Sequence, residues 1–198
     1  MPDAAHQWAP LSPAEVGTLF ATADFDWWLA GGHALDFFAN ATWREHEDID
    51  VLILRPELPA LLAHLDEWDI AFADPPGTLR MRLPGETGSS AHDFWLKRRG
   101  SACWQLQVMV DDAAGVFWQS RRNPKLTRNR QAIGWRHPSG LPCLAAEIQL
   151  FYKAKAPRPK DEADFAKIVM LLSIEQRSWL TDAITHTYGA EHSWLSAL

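Results

Sequence analysis

The chain has 198 residues, of which 47% are hydrophobic, and a formal net charge of -6 at pH 7. This length is enough for one substantial core, or for one core with a small appended domain, and the negative charge excludes a protein that binds nucleic acid over its whole surface. The two cysteines, Cys103 and Cys143, lie outside any CxxC pair, which argues against a zinc site or a disulfide framework.

The composition also argues against a membrane protein. No apolar run approaches the roughly 18 residues that a membrane span needs. The N-terminal stretch "MPDAAHQWAP" lacks a basic region followed by an apolar one, so we expect no signal peptide. We therefore predict a cytoplasmic protein without a membrane partner.

The first third of the chain predicts alternating helices and strands. In "LSPAEVGTLFATAD", Ser12, Pro13 and Glu15 supply an N-cap, a first-turn proline and a capping-box glutamate, which predicts a helix. "DWWLAGG" is typical of a short buried strand that ends at Gly31, and "HALDFFAN" has helical spacing. "DIDVLILR" predicts a strand, "PELPALLAHLDEW" a helix and "DIAFAD" a further strand.

From Leu79 to about Trp135 the pattern changes to short strands, among them "HDFWLKR", "CWQLQVMVDD" and "GVFWQSR". The final third is helical: "LAAEIQLFYKAKA" and "DEADFAKIVMLL" flank the break "APRPK", and "SIEQRSWLTDAITHTY" begins with a second capping box. This order predicts an α/β (α+β) fold, in which a mixed sheet with flanking helices on one face precedes a C-terminal helical subdomain packed on it. We place the boundary between residues 138 and 139.

Two basic runs interrupt the strand region. The stretch "SRRNPKLTRNRQAIGWR" contains no acid and holds Arg121, Arg122, Lys125, Arg128, Arg130 and Arg136. The second run, "KRR", covers 97–99. Each run is either a solvated loop or a local site for a polyanionic ligand, so nucleic acid is not excluded as a partner.

The stretch around Asp48 and Asp50 predicts a metal site. Residues i and i+2 of a strand point to the same face, so these two aspartates project together while Ile49 and Val51 point into the core. Two such carboxylates repel each other, and a divalent cation removes the repulsion. Because hard oxygen ligands suit Mg²⁺, we predict that Asp48 and Asp50 bind this ion.

The glycine pair Gly31–Gly32 predicts a phosphate site. It lies between a strand and a helix, where glycine lets a ligand approach the backbone and the helix N-terminus favours phosphate. A glycine pair by itself usually marks only a tight turn. Together with the aspartates, it indicates a nucleotide site for phosphoryl or nucleotidyl transfer, in which positioning and charge neutralisation do the chemistry.

These residues resemble the signature of the polymerase-beta-like nucleotidyltransferase superfamily, hG[GS] followed by a helix and a DxD strand. The stretch "AGGHALDFFANATWREHEDIDVLIL" is most similar to aminoglycoside and lincosamide nucleotidyltransferases, with a GG-x-A-hydrophobic-D stretch and then T-R-x-H-x-D-h-D. Thr42 is displaced by one residue because Trp43 intervenes. The matching residues are Gly31, Gly32, Ala34, Asp36, Arg44, His46, Asp48 and Asp50.

The resemblance implies a third carboxylate on a neighbouring strand, which completes the metal site and takes the proton from the acceptor hydroxyl. Asp93 begins the strand "DFWLKRR", and Asp111 ends "LQVMV". We favour Asp93 as the catalytic and metal-binding residue because it follows the DxD after a helix and a short strand, whereas Asp111 is typical of a turn in "DDAAG". Alternation places Asp93 and Trp95 on one face and Phe94 on the other.

The resemblance also implies residues that contact the nucleotide. A lysine on the helix "IQLFYKAKA" is expected near the triphosphate, and we choose Lys153 over Lys155. Arg44 and His46 precede the DxD and contact either phosphate or acceptor, or lie in a solvated loop. Asp36 is expected to hydrogen-bond the glycine turn. Lys160, Asp161 and Asp164 fit a helix start and are interpreted as structural.

The resemblance makes 1–138 the nucleotidyltransferase domain and 139–198 the C-terminal helical subdomain. We predict a magnesium-dependent enzyme that moves a nucleoside monophosphate, AMP from ATP or the corresponding group from another NTP, onto a hydroxyl of a small molecule such as an antibiotic. One alternative is an antitoxin-like enzyme that modifies a protein or tRNA, and another is a catalytically silent nucleotide-binding module. The intact glycine pair and DxD argue against the silent module.

Overall fold

The computed structural model describes residues 7–73, 78–88 and 90–198. The strands are β1 (Trp27–Ala30), β2 (Asp50–Leu54), β3 (Trp68–Ala73), β4 (Leu79–Met81), β5 (Asp93–Arg98), β6 (Leu106–Ala114), β7 (Phe117–Ser120), β8 (Asn123–Asn129), β9 (Gly134–Arg136) and β10 (Pro142–Leu144). The helices are α1 (Pro13–Leu19), α2 (Gly31–Ala39), α3 (Leu58–His64), α4 (Ala146–Lys153), α5 (Pro159–Ile168) and α6 (Ile174–Tyr188). The start of "MPDAAHQWAP", on which the signal-peptide prediction depends, lies outside the described residues, as does Asp74 of "DIAFAD".

The sheet is mixed, as predicted. Its order is β4-β3-β5-β6-β2-β1-β10-β9, and the hairpin β7-β8 extends from β6. β2 runs parallel to β6, and β1 runs parallel to β10, whereas the remaining pairs are antiparallel. The strand with the two aspartates therefore lies at the centre of the sheet, where it has a hydrogen-bonded neighbour on each side.

Helices cover both faces of the sheet, which corrects the prediction of helices on one face. Val51 and Ile53 of β2 pack into a core with α1 and α3. Leu52 and Leu54, which alternate with them, pack into a second core with α2, α4, α5 and α6. The run from Val51 to Leu54 has no polar side because a central strand between two helical layers is buried on both faces.

Local signals set several helix ends. The capping box predicted at α1 is present, with the Glu15 amide donating to Ser12 Oγ and the Ser12 amide donating to Glu15 Oε2 at 2.7 Å. The box at the start of α6 is present as well, between Ser173 and Gln176. α2 begins at Gly31, earlier than the stretch "HALDFFAN" predicts, so the glycine pair forms the first turn of the helix.

The C-terminal helices pack on the β2 face that carries Leu52, and the division at residue 138 stays a prediction. β10, which lies beyond that boundary, pairs with β1 through Leu29 and Cys143. Phe151 of α4 and Leu180 of α6 are buried in the same core as Leu52. Among the described residues, no helix combines the length and the apolar character that a membrane crossing requires.

Candidate active site

Asp48 and Asp50 lie at the mouth of the central strand. β2 begins at Asp50, and Asp48 precedes it by two residues, with the buried Ile49 between them pointing into the core with α1 and α3. Asp50 shares its face with Leu52, on the side of α2 and α4. Burial raises the pKa of Asp50 to about 7, and the charges of Asp48 and Asp93 add to this shift. The geometry therefore concentrates negative charge at one point.

Asp93 lies on the same face of the sheet as Asp50. It opens β5 and pairs with Met109 of β6, which in turn pairs with Leu52 of β2. Paired residues project to the same side of a sheet. Gln107 of β6 is the strand neighbour of Asp50, and its side-chain amide nitrogen lies 3.4 Å from Asp93 Oδ1.

Asp111 shares that face but is enclosed. It pairs with Leu54, at the far end of β2 from Asp50, and its side chain is fully buried. Trp118 Nε1 donates to Asp111 Oδ2 at 2.6 Å, and the Tyr152 hydroxyl donates to the same oxygen. Burial raises the pKa of Asp111. The turn position predicted for Asp111 is wrong, since β6 continues to Ala114.

Arg121 joins the two candidate aspartates. Its Nη1 donates to Asp93 Oδ1 at 3.0 Å and to the carbonyl oxygen of His92 at 2.8 Å. Its Nε lies 3.6 Å from Asp111 Oδ1, and its side chain is only 7% exposed. A cation between two carboxylates fixes the position of Asp93, whose side chain is 32% exposed and reaches the surface.

The glycine pair allows two side chains to approach the helix start. Gly31 has a φ of +65°, and a Cβ there would lie 2.1 Å from Asp50 Oδ2. A Cβ on Gly32 would lie 2.2 Å from the His46 ring. The Gly31 amide donates to Gln149 Oε1 of α4 at 2.8 Å. The glycines are therefore required for internal packing, and the Gly31 amide already has a protein partner.

An ion-pair network holds Arg44 and Lys153 beside these groups. Arg44 donates to both oxygens of Asp164, at 2.9 and 2.8 Å. Lys153 Nζ lies 2.8 Å from Asp161 Oδ1 and 3.0 Å from Asp164 Oδ2, and its positive charge lowers the pKa of Asp50. Although burial favours a higher pKa for Asp164, Arg44 and Lys153 hold that pKa below its ordinary value. Lys155 is exposed, so the structure brings Lys153 toward the aspartates and leaves Lys155 outside.

Asp36 and His46 form a buried pair. His46 Nε2 lies 2.8 Å from Asp36 Oδ2, and both side chains are 4% exposed. The expectation that Asp36 bonds the glycine turn is therefore wrong, because the loop that follows α2 folds back and places His46 over the helix start. The His33 ring lies beside that of His46 at a tilt of 50°, with ring centroids 4.3 Å apart. Burial and the neighbouring His46 lower the pKa of His33 to about 4.

The basic run 121–136 is built into the fold. Internal ion pairs hold three of its cations: Arg121 with Asp93, Arg128 with Glu147, and Arg130 with Asp26 and Glu57. In the second run, Lys97 and Arg98 lie over the rings of Trp104 and Trp68. A solvated loop is thus the wrong interpretation of 121–136, which contributes β8 and β9 to the sheet.

The donor set fits a hard divalent cation. Asp48, Asp50 and Asp93 offer carboxylate oxygens, which are the ligands that Mg²⁺ prefers. Burial and the charge of Asp48 raise the pKa of Asp50, so a divalent cation bound there would favour its charged form. Sequence reasoning missed three residues that hydrogen-bond these candidate groups: Gln107, Gln149 and Arg121. The two glutamines carried a signal, since each interrupts an apolar stretch, but Arg121 carried none within its basic run.

Comparisons with known proteins found a matching family model and solved structures of similar fold. The family model of aminoglycoside-2''-adenylyltransferases matches residues 14–168. The crystal structure of the lincosamide antibiotic adenylyltransferase LnuA, lincomycin-bound, is 18% identical with a TM-score of 0.54, over 80% of this chain and 95% of that chain. ANT(2'')-Ia in complex with adenylyl-2''-tobramycin is 15% identical with a TM-score of 0.58, over 89% of this chain and 98% of that chain. The solution structure of ANT(2'')-Ia is 16% identical with a TM-score of 0.58, over 89% of this chain and 92% of that chain.

At these identities the solved structures show a shared fold. The comparison with curated proteins found no match. The family model, however, spans most of the chain and includes the glycine pair, the DxD and Lys153. The chain therefore belongs to the aminoglycoside-2''-adenylyltransferase family and is a nucleotidyltransferase, which confirms the resemblance stated above.

Proposed function

We propose that this member of the aminoglycoside-2''-adenylyltransferase family moves AMP from ATP onto a hydroxyl of a small cationic antibiotic. The observation that carries the proposal is that Asp93 projects from the same face of the sheet as Asp50, whose pKa the charges of Asp48 and Asp93 help to raise. Family membership supplies the reaction class. Asp48, Asp50 and Asp93 would hold Mg²⁺, which neutralises phosphate charge when it is bound.

Asp93 acts as the general base in this proposal. Its carboxylate takes the proton of the acceptor hydroxyl, and the acceptor oxygen forms a bond to the α-phosphorus of ATP. The bond between that phosphorus and the bridging oxygen breaks, and pyrophosphate leaves with the bonding electrons. Arg121 and Gln107 hold Asp93 in position. General bases of this kind typically contribute about 10²–10⁴-fold to the rate.

Four further residues are proposed to position the nucleotide: Gly31, Gly32, Arg44 and Lys153. The glycines let Asp50 and His46 lie against the start of α2, where a side chain would push them away. Lys153 places a positive charge within reach of Asp50 and is fixed by Asp161. Arg44 is held by Asp164, so we propose that both cations face the triphosphate as one rigid unit.

An acidic rim favours a cationic acceptor. Glu45 and Glu47 are both exposed on the loop that leads to Asp48. The related structures contain lincomycin or an adenylylated tobramycin, so antibiotics are the first acceptors to test. A tRNA acceptor would need an exposed basic face, and the ion pairs of Arg128 and Arg130 remove much of the charge from the basic run.

The proposal is tested by incubating the protein with ATP, Mg²⁺ and either tobramycin or lincomycin. We expect pyrophosphate release and a product heavier by one adenylyl group. Asp93→Asn should keep ATP binding and lose transfer, whereas the matched change Asp69→Asn on β3 should leave both intact. Asp111→Asn should alter transfer little because its carboxylate is enclosed by Trp118 and Tyr152.

Three outcomes would contradict the proposal. If ATP binds but no antibiotic is modified, the acceptor assignment is wrong, and transfer to a protein or tRNA is the next candidate. If ATP does not bind at all, the nucleotide assignment is wrong. If Asp111→Asn abolishes transfer while Asp93→Asn does not, the third carboxylate is Asp111.

A further inference from the structure

A second group of metal-ligating side chains lies beside the proposed catalytic aspartates. His33 and Asp36 are three residues apart on α2, so they lie on one face of the helix. His46 comes from the loop that follows the helix. Within the described residues, one ring nitrogen of each histidine and one carboxylate oxygen of Asp36 lie within 4.8 Å of one another.

One atom of this group has no partner. Asp36 is buried, and its Oδ2 is taken by His46 Nε2 at 2.8 Å, but its Oδ1 makes no hydrogen bond although it too is buried. A buried carboxylate oxygen without a partner is unfavourable, because it has lost its hydrogen bonds to water without gaining others. One buried oxygen beside the two imidazoles is therefore available to a ligand.

The three side chains are held in place by their surroundings. The His46 ring rests on Gly32, where a Cβ would lie 2.2 Å away. Arg44 also approaches this point, and its charge is neutralised by both oxygens of Asp164. The group opens on its outer side to a cavity that Thr42 and Glu45 also line. A ligand therefore has an entry path, and a water molecule has room on the open side.

We propose that His33, Asp36 and His46 bind a divalent transition metal of the Zn²⁺ class. Two imidazoles and one carboxylate are the donor set of three-ligand zinc sites, with a fourth position left for water. Zn–N and Zn–O distances of about 2.0–2.2 Å place tetrahedral ligands roughly 3.4 Å apart. The Asp36–His46 contact opens by about half an ångström, and the metal replaces the hydrogen bond between them.

This site differs in chemistry from the one proposed for Mg²⁺. Asp48, Asp50 and Asp93 offer only oxygen, whereas this group offers two nitrogens, and imidazole selects Zn²⁺, Co²⁺ or Cu²⁺ over Mg²⁺. The proposal does not depend on the proposed transfer reaction. In this chain the proposed ligands are the motif H-x-x-D, formed by His33 and Asp36, and His46, which follows Asp36 by ten residues.

The test is a titration of the metal-free full chain with CoCl₂, followed by visible absorption. A tetrahedral site with nitrogen ligands absorbs far more strongly than an octahedral oxygen site, so the spectrum distinguishes the two. We expect an intense band that saturates at one equivalent and disappears on addition of ZnCl₂. His33→Ala should weaken cobalt affinity at least tenfold, and His186→Ala, which removes an exposed histidine on α6, should not.

Further variants keep the result interpretable. Asp50→Asn should leave the intense band unchanged, because it alters only the oxygen site. His33→Gln is a second test if His33→Ala unfolds, and circular dichroism monitors folding of each variant. The proposal is overturned if wild type gives only a weak octahedral spectrum. It is also overturned if the band survives His33→Ala and His33→Gln, or if it is lost in Asp50→Asn.

Discussion

The charge of Asp50 should destabilise the metal-free protein, and Asp50→Asn should remove this effect. Burial raises its pKa from 3.8 to about 7. Between about pH 4 and pH 7, the folded state retains a proton that the unfolded state has released, so the free energy of unfolding falls as pH rises across this range. A change of one in pKa corresponds to about 1.4 kcal/mol. The free energy of unfolding therefore falls by at most roughly 4 kcal/mol across this pH range.

The measurement is urea unfolding in the presence of EDTA at intervals between pH 4 and pH 8, for wild type and Asp50→Asn. The variant minus wild-type difference should grow from near zero at pH 4 to about 2–4 kcal/mol at pH 8, in favour of the variant. Asp161 and Asp164 have lowered pKa values and act with the opposite sign at lower pH, but both proteins contain them, so their effect cancels in the difference.

A control and a second condition sharpen this test. Asp69→Asn, on β3, should follow wild type at every pH. Added Mn²⁺ should stabilise wild type above pH 7 and have much less effect on Asp50→Asn, because a bound cation favours the charged form of Asp50 that burial and Asp48 disfavour. A difference between variant and wild type that stays constant from pH 4 to pH 8 would refute the reasoning.

Three further outcomes follow from individual contacts. Gly32→Ala should lower the free energy of unfolding by about 1–3 kcal/mol, because the new methyl group meets the His46 ring, and His46→Ala should recover part of this loss in a double-mutant cycle by urea unfolding. Arg121→Gln should release Asp93 and lower kcat by ~10²-fold with little change in ATP affinity by calorimetry, and an unchanged kcat would remove its positioning role. Lys153→Met should raise KM for ATP more than it lowers kcat in steady-state kinetics, and an unaltered KM would place the triphosphate elsewhere.

Much of the local structure follows from short-range sequence signals. Ser12 and Glu15 fix the start of α1, since a capping box satisfies orphan amides without any distant partner. The alternation in "DIDVLIL" places Ile49 in the core and Asp50 on the opposite face. Sequence patterns do not predict β8, because it is polar and lies at an outer position of the sheet. They do not predict β10 either, because it has three residues and begins with proline.

Local sequence patterns do not distinguish Asp93 from Asp111 as the third carboxylate. Both residues project to the same face of the sheet, because Asp93 pairs with Met109 and Asp111 lies two positions further along β6. Alternation therefore cannot separate them. Packing does: Trp118 and Tyr152 close over Asp111, whereas Asp93 remains open beside Asp50. In the chain, Trp118 is 7 positions from Asp111 and Tyr152 is 41 positions from it.

The sequence by itself determined which residues are candidates for the chemistry, because strand alternation, capping and the glycine–DxD spacing are properties of neighbouring residues. The tertiary structure alone decided what each of those residues touches. It placed Asp164 between Arg44 and Lys153, and it placed His46 on Gly32 beside Asp36. These contacts depend on how the loop after α2 and the helix α5 fold back onto the sheet. The spacing of residues within the chain does not determine the direction in which these two segments fold back.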